Sequence, residues 1–386
     1  MPLFFIVLYW VAIPVFFLSG CDANQNALND EKKVSLGRAL FHETALSKDG
    51  TQSCASCHDA AHAFIDPRRN VTSADTQSAA AVSLGQDQKS LGDINTPSAT
   101  YAALIPPFYF DSAEGIFKGG LFLNGRANTL TEQAQQPFLN PLEMKNTKEG
   151  VVKAVQAKYS DQLKVLYGDD IFNEIETAYQ AIADSIAEFE KTKEFSPFDS
   201  KFDKVLKGIA TFTEQERRGL ELFKDEKKGN CAACHPVPEL NTPQAESLFT
   251  DFSYDNLGTP KNKLARIHNG KPDNFIDEGL FTNPQAKDPA LRGAFRVTSL
   301  RNIAVTAPYM HNGVFKELQT VIHFYNSRDV IGALNPETGQ PWEPAEINET
   351  KNTEELGNLG LTDQEVDDIA VFLKTLTDER YEHLMN

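Results

Sequence analysis

The chain opens on an unbroken apolar stretch. Leu3 to Leu18 is nearly all hydrophobic, is interrupted by Pro14, and runs into Leu18-Ser19-Gly20-Cys21. An apolar region followed by small residues predicts a secretory signal. The run is shorter than the roughly 20 residues that span a bilayer as a helix. An uncleaved anchor helix is the alternative, and no Lys or Arg precedes the run. Farther on, the pattern takes helical spacing. Ile175, Ala178, Ile182, Ile186 and Phe189 recur every three to four residues. Val366, Ile369, Leu373 and Leu376 do the same after the capping box Thr362-x-x-Glu365. Both stripes predict core-facing amphipathic helices. Gly37-Arg38-Ala39-Leu40-Phe41 and Gly219-Leu220-Glu221-Leu222-Phe223 share one pattern, and each reads as the end of an earlier helix. The second of these helices starts at the capping box Thr213-x-x-Glu216. The chain therefore predicts a first helix, a loop and a closing helix, twice over. The first closing helix stops before Phe195-Ser196-Pro197, which divides the chain into residues 1–20, 27–195 and 196–386. Asp329 to Gly360 is polar, rich in Pro, Gly and Asn and aperiodic, and predicts a long surface loop. No sustained strand alternation is present, so the fold class is mainly α, with long loops and little strand.

A length of 386 residues suits two domains. The 41% hydrophobic content suits packed cores and is too low for a multi-span membrane protein. The net charge of −17 argues against nucleic acid as a partner. Such an acidic surface either attracts a cationic partner or only aids solubility. Residues 1–20 carry no charged side chain, so the remainder keeps all of this acidity. A Cys directly after Leu-Ser-Gly resembles a bacterial lipobox, which implies cleavage before Cys21 and lipidation of its thiol. The reading is then a lipoprotein in the periplasm, anchored to a membrane that the sequence does not specify.

Of the five cysteines, the other four form two identical constellations, Cys54-Ala-Ser-Cys57-His58 and Cys231-Ala-Ala-Cys234-His235. In C-x-x-C-H the two thiols bond covalently to porphyrin vinyl groups, and the adjacent His ligates the iron axially. Two copies, with no cysteine left for a disulfide, predict two covalently bound haems c. A four-cysteine zinc site is the alternative, and it leaves His58 and His235 unexplained. A first and a last helix enclosing such a loop is the plan of a small cytochrome c domain, so the expected architecture is two of these in tandem.

The stretches between the two motifs resemble the bacterial di-haem cytochrome c peroxidase and MauG family over essentially the whole chain after the signal. They are Asn95-Thr96-Pro97, Asn124-Gly125-Arg126-Ala127, Glu132-Gln133-Ala134, Asn140-Pro141-Leu142-Glu143-Met144, Leu300-Arg301-Asn302 and Thr306-Ala307-Pro308-Tyr309-Met310-His311. The resemblance implies that residues 27–195 form the peroxidatic unit and residues 196–386 the electron-transfer unit. It implies that Glu143 is the acid–base group and that Gln133 lies in the same pocket. Peroxide heterolysis needs a proton moved between the two oxygens, which a positioned carboxylate can do. A neutral amide can orient peroxide without competing for that proton. On the residues alone, a surface Glu and a capping Gln are the alternatives. The resemblance further implies a calcium ion between the haems at Asn95, Thr306 and Pro308, a donor set that suits a hard cation. A simple turn at Asn-Thr-Pro is the alternative. Hydrogen peroxide is the implied substrate, and a small cytochrome c or copper protein the implied electron donor.

Three departures bear on subtype. Where ordinary peroxidases of this family carry a capping His, this chain has Gln86, and His62 is read as a loop residue. The resemblance then implies a first haem that is open at rest. Where they carry a Met ligand, fourteen residues after His311, this chain has Tyr325, as MauG does. A phenolate is an anionic donor, unlike a thioether. Met310 and His311 are the competing ligands of the second iron. Where the family places a Trp between the haems, this chain has Leu123, which cannot be oxidised; Tyr101 or Tyr109 are the candidates to stand in. A peroxidase is the first expectation. A MauG-like oxidase of a protein side chain and a non-catalytic di-haem electron carrier are the alternatives.

Overall fold

The structure, a computed structural model, describes residues 20–70, 82–92, 94–240, 246–272 and 274–385, with side chains in the opening helix from Leu28 onward. The apolar run before Gly20 and the Cys21 side chain lie outside the described residues. In chain order the helices are α1 (Gly20–Phe41), α2 (Cys54–Cys57), α3 (Leu130–Leu139), α4 (Lys148–Tyr167), α5 (Ile175–Glu190), α6 (Lys201–Leu206), α7 (Glu214–Lys224), α8 (Lys263–His268), α9 (Leu318–Ser327) and α10 (Asp363–Lys374). Strand is confined, among the described residues, to three antiparallel pairs. These are β1 (Tyr109–Asp111) with β2 (Ile116–Lys118), β3 (Tyr254–Asp255) with β4 (Phe295–Arg296), and β5 (Leu334–Asn335) with β6 (Gln340–Pro341). The fold is mainly α.

The two similar segments noted in the sequence are both helix crossings. α1 packs on α5 at Gly37, where a Cβ would lie 1.8 Å from the Ser185 carbonyl oxygen and 3.0 Å from Phe189 Cβ. α7 packs on α10 at Gly219, where a Cβ would lie 2.0 Å from the Asp368 carbonyl oxygen and 2.8 Å from Phe372 Cβ. Only glycine permits approach this close. Thr213 and Thr362 cap α7 and α10, each in a complete capping box with the Glu three residues on. Two cores result. One gathers Leu36, Phe41, Phe64, Phe138, Ile182 and Phe195. The other gathers Phe202, Phe223, Phe249, Phe324, Ile369 and Phe372.

The seam between the cores is polar. Tyr101 donates across it to Asp378 at 2.6 Å, and on the side of the second core Arg301 forms a buried double hydrogen bond to Asp203, at 2.5 and 2.8 Å. The segment after α10 returns to the first core: Glu379–Leu384 packs on Ala60–His62, and the Arg380 guanidinium lies 5.4 Å from the Phe64 ring centre. The stretch from Asp329 to Gly360 differs from the bare surface loop expected of it. It carries the β5–β6 hairpin, buries Ile347, and sets Trp342 edge-on against Phe315 and Phe324. A few apolar anchors without periodicity suffice to hold a loop on a core. No helix of the described residues is long and apolar enough to cross a membrane.

Candidate functional site

Each C-x-x-C-H loop folds into a tight turn that carries its histidine back under the first cysteine. The His58 amide donates to the Cys54 carbonyl at 2.9 Å, and the His235 amide to the Cys231 carbonyl at 2.9 Å. The ring of His58 has Nδ1 at 3.0 Å from the Phe64 carbonyl oxygen, and His235 has Nδ1 at 2.6 Å from the Phe249 carbonyl oxygen. A carbonyl only accepts, so Nδ1 carries the proton in both rings and Nε2 holds the lone pair that a metal requires. The two acceptors reach the rings from the left-handed region, with φ of +51° at Phe64 and +52° at Phe249. The two cysteine pairs lie in different cores, and no cluster of three or more His, Cys, Asp or Glu gathers among the described residues. They do not pool into one tetrahedral site.

What faces each cysteine pair differs. In the first site it is Glu143. α3 ends at Leu139, and a turn closed by the Glu143 and Lys145 amides on the Asn140 carbonyl follows, pinned by buried Met144. The Glu143 carboxylate accepts from Asn140 Nδ2 at 2.6 Å, and its charge is felt at both Cys54 and Cys57. Burial raises its pKa, opposed by the Asn140 hydrogen bond and by nearby Arg126. Gln133 sits half-buried on α3 and is not hydrogen-bonded to Glu143. Gln86 is joined to Glu143 through the backbone, its amide donating to the Glu143 carbonyl at 2.7 Å, and its side-chain oxygen is buried without a partner. His62 is half-exposed and pairs with Asp59 at 2.8 Å.

In the second site a cavity of about 280 Å³ runs between the Cys231–His235 turn and α9. Met310, His311 and Tyr325 line it, and Leu123 and Asn95 reach it from the first half of the chain. Burial, with Cys231 and Cys234 beside it, pushes the Tyr325 phenol up. Burial and Arg266 push His311 down to about 3, and its ring stacks on Phe295 at 3.7 Å.

Asn95 and Pro308 meet at the seam. Asn95 Nδ2 donates to the Pro308 carbonyl at 2.6 Å, while Asn95 Oδ1 is buried with no partner. Thr306 donates its hydroxyl to Ile303 at 3.3 Å.

These donors fit two porphyrins. Each site has paired thiols, a histidine with its tautomer fixed, and a group facing the pair. The orphaned Asn95 oxygen, beside the Pro308 carbonyl, fits a hard cation. The Phe64 and Phe249 carbonyls were not legible in the sequence, because a backbone acceptor leaves no side-chain pattern. Asn140 stood in the Asn140–Met144 stretch as part of the pattern only. Arg126, beside Glu143, stood likewise only as part of its Asn-Gly-Arg-Ala stretch, and a buried Glu190 on α5 whose charge reaches Cys54 carried no signal.

Comparison with known proteins gives a consistent set of relatives. A family model described as di-haem cytochrome c peroxidase matches residues 31–211. The methylamine utilization protein MauG of Paracoccus denitrificans (strain Pd 1222) is 44% identical over 370 residues, spanning 94% of this chain and 93% of that protein. Cytochrome c peroxidase Ccp of Escherichia coli (strain K12) is 33% identical over 295 residues, 75% of this chain and 52% of that protein. The crystal structure of the diheme peroxidase BthA from Burkholderia thailandensis E264 superposes with a TM-score of 0.80 at 30% identity, covering 92% of this chain and 88% of that one.

Proposed function

The chain belongs to the di-haem cytochrome c peroxidase family, and on that premise we propose that it reduces hydrogen peroxide at the Cys54–His58 site with electrons entering at the Cys231–His235 site. The observation that carries this reading is the half-buried Glu143 carboxylate, held by Asn140 and near enough to the first cysteine pair for its charge to act on both thiols. Haem held there by Cys54, Cys57 and His58 would supply the redox iron for peroxide reduction. Glu143 takes the proton from one peroxide oxygen and returns it to the other, and burial raises its pKa, opposed by Asn140 and Arg126. Asn140 fixes which carboxylate oxygen points outward. Gln133 orients peroxide from α3. Cys54, Cys57, Cys231 and Cys234 anchor the two groups, and His58 and His235 ligate them. Tyr325 is the other ligand of the second. Asn95, Thr306 and Pro308 hold calcium at the seam. The net charge of −17 steers a basic donor, a small cytochrome c or copper protein.

The test is steady-state peroxide consumption with a reduced small cytochrome c. Turnover that needs both reactants supports the reading, and a chain that shuttles electrons without consuming peroxide is a carrier only. A second reading, a MauG-like oxidase of a protein side chain, is favoured by Tyr325 and by the 44% identity to MauG. It is the outcome if peroxide reacts with the fully oxidised protein but no reduced donor is consumed. The exported, lipid-anchored location rests on Leu18-Ser19-Gly20-Cys21. Cys21→Ser is expected to release the protein from membranes, and unchanged fractionation would point to an uncleaved helix.

A further inference from the structure

With Leu123 at the cavity wall, no oxidisable side chain stands at the position the family gives to Trp. A different aromatic group occupies the seam. Tyr101 is 1% exposed, and its hydroxyl donates to Asp378 Oδ1 at 2.6 Å. Asp378 is 0% exposed and is held by Asn302, whose Nδ2 donates to Oδ2 at 2.8 Å and whose Oδ1 accepts the Asp378 amide at 2.8 Å.

Tyr101 is connected to both proximal histidines. On the first side, the Phe64 carbonyl that accepts His58 Nδ1 also accepts the Ala99 amide at 3.2 Å, two residues before Tyr101. The Tyr101 amide donates to Phe195, whose ring stacks on Phe64 at 4.0 Å. On the second side, the Arg301 guanidinium lies 5.4 Å from the Tyr101 ring and 5.5 Å from the Phe249 ring, and the Phe249 carbonyl accepts His235 Nδ1. Arg301 also lines the second cavity.

We propose that Tyr101 and Asp378 form a proton-coupled redox relay between the two haem sites, a proposal that rests on peroxide reacting at the first. One electron leaves the Tyr101 phenol for the peroxide-oxidised first site. The hydroxyl proton moves along the 2.6 Å hydrogen bond to the Asp378 carboxylate. The products are a neutral phenoxyl radical and a neutral carboxylic acid. One electron from the second site restores the phenol and takes the proton back. Burial raises the pKa of both groups, so Asp378 is the better base and Tyr101 does not ionise by itself. The other charges near the pair are Arg301, neutralised by Asp203, and Asp199.

The test is freeze-quench EPR of the fully loaded, oxidised protein mixed with hydrogen peroxide, with optical spectra recorded in parallel. A tyrosyl signal is expected, narrowed by growth on ring-deuterated tyrosine, which alters no contact. Tyr101→Phe is expected to abolish it. Asp378→Asn keeps the shape but removes the base and is expected to suppress it. Tyr109→Phe, on the exposed β1 strand, is expected to leave it intact. A signal that survives Tyr101→Phe or Asp378→Asn, or a wild-type protein whose haem spectrum changes without any tyrosyl, overturns the relay. If Tyr101→Phe does not load haem, deuteration and Asp378→Asn decide the matter. A haem spectrum that peroxide leaves unchanged instead overturns the reading of the first site.

Discussion

The two halves use one frame to different ends. Both cross their first and last helices at a glycine, and both fix the histidine through a Phe carbonyl in the left-handed region. They part in what faces the cysteines. The first half presents Glu143, a group that can carry a proton; the second presents Tyr325 and Met310, groups that can hold a metal. A smaller difference follows from the crossings. Ser185 and Asp368 are equivalent, as are Phe189 and Phe372, so Glu190 in the first half corresponds to Leu373 in the second. The proximal scaffold is thus conservative, and chemistry is decided by the opposite wall.

The sharpest way to break this comparison is Glu143→Gln. It is expected to lower peroxide turnover by roughly 10²–10⁴-fold with both haems retained by haemochrome assay. Turnover within about twofold of wild type would remove the first wall's role. For the second wall, Tyr325→Phe is expected to raise that haem's reduction potential and erase any tyrosinate absorption, since an anionic donor is lost. Met310→Leu is expected to leave that spectrum unchanged; the reverse pattern would make Met310 the ligand. Gly37→Ala and Gly219→Ala are expected to cost about 1–3 kcal/mol each in thermal or denaturant unfolding, by forcing the crossings apart. Unequal costs would show that the two crossings do not bear equally on the fold. The smallest effect concerns Glu190, whose pKa burial raises to about 8. Folded chains keep its proton up to that pH, whereas unfolded chains lose it near the ordinary carboxylate value. Stability therefore falls as pH rises between the two. Glu190→Leu, which installs the second half's residue, is expected to raise the melting temperature at about pH 8 and not at about pH 4. An equal change at both pH values would mean that the carboxyl is not held neutral.

Much of the frame was legible because its signals are local. The Thr213 and Thr362 capping boxes and the stripes of α5 and α10 announce themselves in a few residues. C-x-x-C-H is complete within five. The pairing of Gly37 with Ser185 was not legible, because the reason for that glycine is a backbone far along the chain. The same holds for Tyr101 and Asp378, which meet only when both halves have folded. Tyr325, reached by the count from His311, and Met310 both line the second cavity. The Asp329–Gly360 stretch misled because Trp342 and Ile347 anchor it without any period.

The return of Glu379–Leu384 onto Ala60–His62 has a consequence for biogenesis. A ribosome delivers Cys54 to His58 long before it delivers Arg380, whose guanidinium covers the Phe64 ring behind His58. Through most of synthesis the Phe64 side of the first loop is therefore without this cover. The first core is thus closed by the last residues of the chain to be made, and its completion waits on the second half.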